Sequence, residues 1–258
     1  EGESRPSGPR GLGGEQVEGR QAVRELLLGG RRKVRDLWLV EDVDDAPIIG
    51  DILELADEMK LKLRRVTRNQ LDAEARSEAP QGVLAHAAPL PEADLDALCR
   101  RGHDGRPPFL LALDGITDPQ NVGALLRTAE CAGVSGVLLP RHRAAHVTPT
   151  VAKAAAGAVE HLDIALVSGL PAALTRAKEL GVWSVGLDGA GDSSLFDLNI
   201  ATEPIVLVLG AEGSGLGRLT RERCDVVAAI PLAGALGSLN VSAAGALACF
   251  EVARRRLA

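Results

Sequence analysis

The chain has 258 residues and a formal net charge of −6, with 46% hydrophobic and 25% charged residues; that length suits two ordinary domains or one large one. Three Phe, two Trp and no Tyr leave only an aliphatic core, and they exclude a nucleic-acid surface built on rows of stacking aromatics. The acidic total gives no overall basic signature of a nucleic-acid binder, although one local patch would suffice.

Residues 1–15, EGESRPSGPRGLGGE, are rich in Gly, Pro and Ser and predict a mobile tail. In VEGRQAVRELLLGG, Val23, Leu26 and Leu27 fall at helical spacing, and Gly29-Gly30 ends the helix. DLWLV then reads as a strand, PIIGDILELADEMK as a helix, LKLRRVT as a short strand, RNQLDAEARSE as an amphipathic helix and QGVLAHAAP as a strand. Residues 16–88 therefore read as a small alternating α/β domain. Residues 89–107, proline-rich and charged, read as a linker with a short helix over Asp94–Cys99.

From residue 108 the alternation strengthens. FLLALDG, VSGVLLP, LDIALV, VWSVGLDG, PIVLVLG and DVVAAIP read as apolar strands, separated by helical segments and followed by a long final helix from about Ser238. About six such strands predict a parallel sheet covered on both faces. Charge is uneven only slightly: residues 1–105 hold 16 Lys/Arg against 21 Asp/Glu, net −5, and residues 106–258 hold 13 against 14, net −1. Two local basic clusters stand out, Arg31-Arg32-Lys33 with Arg35, and Lys60, Lys62, Arg64, Arg65 and Arg68.

Cys99, Cys131, Cys224 and Cys249 form no CxxC pair and read as buried, reduced thiols. No apolar run approaches the roughly 20 residues of a membrane span, and the polar start shows no signal peptide; a cytoplasmic protein is expected. His142 and His146 lack a carboxylate or thiol to complete a zinc site, so no metal is expected.

Ligands of parallel α/β sheets bind at the carboxyl ends of strands. After FLLALDG comes a helix with Asn121 near its start and Arg127 among Leu125, Leu126 and Ala129; that arginine either snorkels or binds an anion such as phosphate. After PIVLVLG, glycines 210, 213, 215 and 217 surround Glu212 and let a ligand approach the backbone. The segment is neither a P-loop nor a dinucleotide fingerprint. After DVVAAIP, Ser238, Asn240 and Ser242 are all plausible helix caps, but a cap explains only one of the three.

Three segments, in order at strand ends, carry a resemblance: Asn121-Val-Gly-Ala-Leu-Leu-Arg127-Thr-Ala129, Leu209-Gly-Ala-Glu-Gly-Ser-Gly-Leu216, and Ile230-Pro-Leu-Ala-Gly234 with Ser238-Leu-Asn-Val-Ser242. They resemble the three motifs of the SpoU (TrmH-type) family of RNA ribose 2′-O-methyltransferases. Val17-Glu-Gly-Arg-Gln-Ala-Val23 and Gln81-Gly-Val-Leu-Ala85 are similar to that family's small L30e-like substrate-binding domain, and the whole arrangement to the enzymes that methylate a guanosine of 23S rRNA.

The resemblance implies a trefoil-knotted α/β methyltransferase domain over 108–258, an RNA-binding domain over 16–88, and a homodimer. It implies S-adenosyl-L-methionine as cofactor, held by Leu209, Gly210, Ile230, Leu232, Ser238 and Leu239. It assigns Asn121, Arg127, Glu212, Ser238 and Asn240 to catalysis, with Arg127 at the target nucleotide. Arg31, Arg32 and Lys33 are expected on the RNA-binding face. A tRNA ribose methyltransferase and a non-catalytic RNA-binding or assembly factor are the alternatives.

Overall fold

A computed structural model describes residues 11–100, 102, 105–142 and 146–257. The first domain is built from β1 (Gln16–Glu18), α1 (Arg20–Gly29), β2 (Val34–Val40), α2 (Pro47–Glu58), β3 (Leu63–Val66), α3 (Arg68–Glu74) and β4 (Val83–Ala87). Its sheet runs β1-β4-β2-β3, with β2 and β3 parallel and the other pairs antiparallel. Leu37, Leu39, Val83 and Ala85 point from one face onto Val23, Leu26 and Ile52 of α1 and α2, the period-2 burial expected of a half-covered sheet. The sequence reading had missed β1, which is too short to show a period.

The segment α4 (Leu95–Arg100) leads to the second domain: β5 (Phe109–Asp114), α5 (Pro119–Cys131), β6 (Gly136–Pro140), α6 (Pro149–Ala154), β7 (Ile164–Val167), α7 (Leu170–Glu179), β8 (Trp183–Leu187), β9 (Ser193–Ser194), β10 (Ile205–Gly210), α8 (Arg218–Arg223), β11 (Val226–Ala229) and α9 (Val241–Leu257). The strands form one parallel sheet in the order β7-β6-β5-β10-β8-β11-β9. All six expected strands are present, and the two-residue β9 extends the edge. Leu111, Leu113, Leu207 and Leu209 pack on the α5, α6 and α9 side, while Leu110, Ala112, Val206 and Val208 pack on the α7 side. Phe109 is the one fully buried aromatic among the described residues. The helices α5 and α9 lie against each other. From β5 the chain moves through β6 and β7 to one side, whereas β10, β8 and β11 lie on the other. The switch point of the sheet therefore falls between β5 and β10.

Three expectations need correction. The tail expectation fails over residues 11–15: Leu12 is 1% exposed inside the second domain's core, and Gly13 bridges Val147. The Leu12 side chain anchors the segment together with main-chain hydrogen bonds from Val147 to the Leu12 carbonyl and from Leu90 to the Gly13 carbonyl; residues 1–10 lie outside the described residues. The linker is packed rather than loose, because Leu90, Leu98 and Cys99 are buried and Glu92 bridges Ile164 at the edge of β7. Its prolines stiffen it along the surface. Of the thiols, Cys99 and Cys249 are buried and Cys224 half-buried, but Cys131 is exposed. Burial pushes the Cys99 thiol up to about 11 and those of Cys224 and Cys249 up to about 12.

The Arg31-Arg32-Lys33 cluster is also corrected. Arg32 is buried against Glu160, with side chains 3% and 2% exposed. Its Nε and Nη2 donate to the two Glu160 oxygens at 3.0 and 2.5 Å, and Nη1 donates to the carbonyls of Gly14 and Ala88 at 2.5 and 2.6 Å. Arg31 pairs with Asp163 and donates to the Leu162 carbonyl. These two guanidiniums clasp the domains together; Lys33 alone of the three stays exposed without a partner among the described residues. A buried charge that loses its partner costs about 3–5 kcal/mol, whereas an apolar pair of similar volume is often neutral. Arg32→Met should therefore destabilise by that amount in denaturant unfolding, and Arg32→Met with Glu160→Leu should recover most of it. Equal losses in the single and double variants would contradict the clasp.

Candidate active site

Four neighbouring strands, β5, β10, β8 and β11, end at one edge of the sheet, and the loops that follow them build a single site. Helix α5 opens with Asp118 as N-cap: its carboxylate accepts from the Asn121 N–H at 2.8 Å, and Pro119 occupies the first turn. The helix thus starts earlier than Asn121, which leaves the Asn121 side chain free to face the loops. Helix α9 starts at Val241, later than expected, and Asn240 caps it: Asn240 Oδ1 accepts from the Ser242 N–H at 2.9 Å.

The other end of that amide closes the site. Asn240 Nδ2 donates to Asn121 Oδ1 at 3.0 Å and to Glu212 Oε1 at 2.8 Å, and Asn121 Nδ2 lies 3.5 Å from Glu212 Oε2. The loops after β5, β10 and β11 are thereby joined by three side chains. A carboxylate shared by two amides is held in one orientation and remains an acceptor.

The loop after β10 is a tight turn. Ala211 and Gly215 exchange backbone hydrogen bonds at 3.1 and 2.8 Å, and Gly217 N–H donates to Asp114 Oδ2 at 2.8 Å. A Cβ on Gly210 would lie 2.1 Å from the Gly215 carbonyl carbon, so the close backbone approach there admits only glycine.

Beside the network lies a cleft of 480 Å³, walled by Leu187–Gly189, Leu209–Gly215 and Ser238–Val241. A smaller cleft of 140 Å³ adjoins it, adding Ile230 and Leu232 and sharing Ser238 and Leu239. All six residues expected to hold a cofactor therefore line these two adjoining clefts, whose walls combine apolar side chains and loop backbone with the polar side chains of Asp188, Glu212, Ser214, Ser238 and Asn240. The size of the larger falls in the range of small-molecule sites. Asp188, which the sequence reading did not single out, lines both clefts and pairs with Arg221 at 2.9 Å. Its place directly after β8 was the available signal.

Arg127 is not in this cleft. It stands six residues, or about 9 Å of helix rise, beyond Asn121. It lines a 610 Å³ groove with Gln21, Glu25, Cys131 and His161 at the domain junction. Its side chain is exposed and has no partner among the described residues. An exposed guanidinium without an acidic partner is compatible with the anion-binding reading of the sequence. Among the described residues no group of three His, Cys, Asp or Glu could hold a metal ion. No described helix is long and apolar enough to cross a membrane.

Comparison with known proteins adds the following. Residues 108–250 match the model of the SpoU rRNA methylase family, and residues 16–103 match the RNA 2′-O ribose methyltransferase substrate-binding family. The chain is 41% identical over 245 residues to a 23S rRNA (guanosine-2′-O-)-methyltransferase of Pseudomonas aeruginosa, covering 94% of this chain and 97% of that protein. It is 39% identical over 247 residues to the enzyme of the same description from Pseudomonas syringae, covering 95% and 97%. Among solved structures it is similar to the SpoU methyltransferase AviRb from Streptomyces viridochromogenes in complex with AdoMet, with a TM-score of 0.78, 25% identity and coverage of 94% and 90%.

Two glycines in these loops make a controlled comparison, since Gly234 has open space around it and Gly210 has none. Gly210→Ala should destabilise by about 1–3 kcal/mol through overpacking, and Gly234→Ala should stay within about 0.5 kcal/mol. Thermal unfolding of both variants checks this; equal effects would mean that the turn after β10 is not constrained as described.

Proposed function

This chain belongs to the SpoU rRNA methylase family, and from that premise we propose that it transfers a methyl group from S-adenosyl-L-methionine to the ribose 2′-oxygen of a guanosine in 23S rRNA. The observation that carries the reading is the Asn121–Asn240–Glu212 network beside a cleft walled largely by loop backbone. The guanosine and the 23S rRNA are taken from the two relatives whose names state them, which align over nearly their whole length, substrate-binding segment included.

The cleft's leucines and backbone groups suit a ring system, and the Asp188 and Glu212 carboxylates in its lining suit a cofactor that carries a sulfonium and an ammonium group. Leu209, Gly210, Ile230, Leu232, Ser238 and Leu239 would hold S-adenosylmethionine, which supplies a methyl group already activated for transfer. The protein's part is to orient the 2′-hydroxyl and lower the cost of losing its proton. Arg127 stays charged, since a guanidinium does not deprotonate in a protein. It binds the phosphate next to the target ribose and stabilises the forming alkoxide. The proton goes to that phosphate or to water. Asn121 and Asn240 orient the ribose, Glu212 fixes both amides, and Ser238 completes the polar wall.

The separation of Arg127 from the network within one chain supports a homodimer in which a second copy completes the site. Leu232, Leu236, Leu239, Leu247 and Phe250 are exposed in the loop after β11 and along α9, apolar side chains that a second copy would cover. We further assign residues 108–258 to a trefoil-knotted methyltransferase domain, residues 16–88 to RNA binding, and the protein to the cytoplasm.

Arg127→Lys keeps the charge and loses the guanidinium fork. Turnover should fall about 100-fold, the size of effect seen when one oriented donor to a developing oxyanion is removed. Calorimetry should show S-adenosylmethionine affinity unchanged. Near-normal turnover in this variant would contradict the guanidinium role. Absence of S-adenosylmethionine binding in the wild type would move the protein to a non-catalytic RNA-binding role.

A further inference from the structure

The domain junction contains a second large cleft, of 670 Å³, on the side of α6 away from the Arg127 groove. One wall is the Arg76–Ala79 loop that follows α3 in the first domain; the other is Pro119 and Gln120 at the start of α5 with Thr150 and Lys153 of α6. Gln120 adjoins Asn121, so this cleft opens at the same end of α5 as the network. Resting on the reading above, we propose that it holds the phosphodiester backbone of RNA flanking the modified nucleotide, with Arg76 as its principal phosphate contact.

The loop that presents Arg76 is held from beneath by a buried carboxylate. Glu18 is 0% exposed. Its oxygens accept from the Arg76 N–H at 2.7 Å, from the Ser77 N–H at 3.0 Å and from Ser77 Oγ, and Gln16 Nε2 donates to it at 2.9 Å. A carboxylate survives such burial only when its lone pairs are filled, and here main-chain donors of the loop fill them. The backbone of residues 76–77 is thereby fixed while the guanidinium stays outside, exposed and without a partner among the described residues.

A second tie comes from across the cleft, where Lys153 Nζ donates to the carbonyls of Glu78 and Ala79, the latter at 2.7 Å. Ala79 and Gln81 hold left-handed backbone conformations, with φ of 50° and 60°, which L residues adopt only when the surroundings impose them. The loop is therefore built in one shape against the second domain.

Charge favours a polyanion here. Most of the described arginines pair with acids of the same chain, whereas this cleft carries Arg76 and Lys153 against Glu78 alone. The remaining exposed cluster, with Lys60, Lys62 and Arg65 around β3, sits at the sheet edge opposite β1, three strand spacings or about 14 Å away. The lining has no aromatic ring, so bases cannot stack on it; phosphates and ribose hydroxyls are what Arg76, Gln120 and Thr150 can bind.

The test is binding of an in vitro 23S rRNA transcript to full-length protein over a range of salt concentrations, with methyl transfer to the same transcript measured in parallel. Arg76→Glu should weaken binding by about 10-fold or more and lower the slope of log affinity against log salt by about one phosphate contact. Arg76→Lys should restore most of the affinity, and S-adenosylmethionine binding should be unchanged in both. A wild type that methylates the transcript together with an Arg76→Glu variant of unaltered affinity and slope would overturn the cleft alone. Loss confined to charge reversal at Lys62 and Arg65 would do the same. A wild type that neither binds nor methylates the transcript would overturn the cleft and the RNA substrate together.

Discussion

Arg32 occupies a position where a charge is stable only if it is paired and hydrogen-bonded. Its four hydrogen bonds go to Glu160 of the second domain and to the carbonyls of Gly14 and Ala88, the two points where the chain passes between domains. The pairing holds the first domain at both of its covalent crossings and against the turn after α6. The contacts of α6 with β1, the hydrogen bonds of Lys153 and the clefts on either side of α6 all follow from that placement. A module that reads a structured RNA at one end and reacts with one ribose at the other needs a fixed distance between the two. A buried ion pair tied by four hydrogen bonds gives geometric definition even where its net stabilisation is small.

The candidate site is organised differently. The loops after β10 and β11 face a depression where leucines, glycines and main chain alternate with Asp188, Glu212, Ser214, Ser238 and Asn240. The shape of the loop after β10 is set by its own backbone, since a Cβ on Gly210 would collide with the main chain of Gly215 and Leu216. At one corner the cap of α9 also links Asn121 to Glu212. Helix stability and site geometry are thus coupled through one residue, Asn240.

Much of this could be read from residues alone. The apolar strands of the second domain and the glycine-rich loop stood out because buried parallel strands and tight turns have strong local signatures. Inspecting strand ends singled out the loops after β5, β10 and β11, and the six residues that the family resemblance assigned to the cofactor line two adjoining clefts there. What could not be read was long-range pairing. Arg32 looks like its neighbour Lys33 in sequence; only the fold brings Glu160, 128 residues away, onto it. Leu12 looks like one apolar residue in a glycine-rich tail until the second domain's core is present to receive it. Glu18 carries no hint of holding the Arg76–Ser77 loop 58 residues downstream. The acidic total concealed that internal acids neutralise the arginines unevenly, leaving Arg76 and Arg127 exposed beside the clefts of the domain junction.

The account turns on where the methyl group goes. Ribose-methylation mapping of rRNA and tRNA from cells lacking this protein, set against the parent strain, reads that directly. The account predicts that one 2′-O-methylguanosine disappears from 23S rRNA and that every tRNA site is retained. Loss of a tRNA ribose methyl group, or an unchanged methylation map of 23S rRNA, would contradict it.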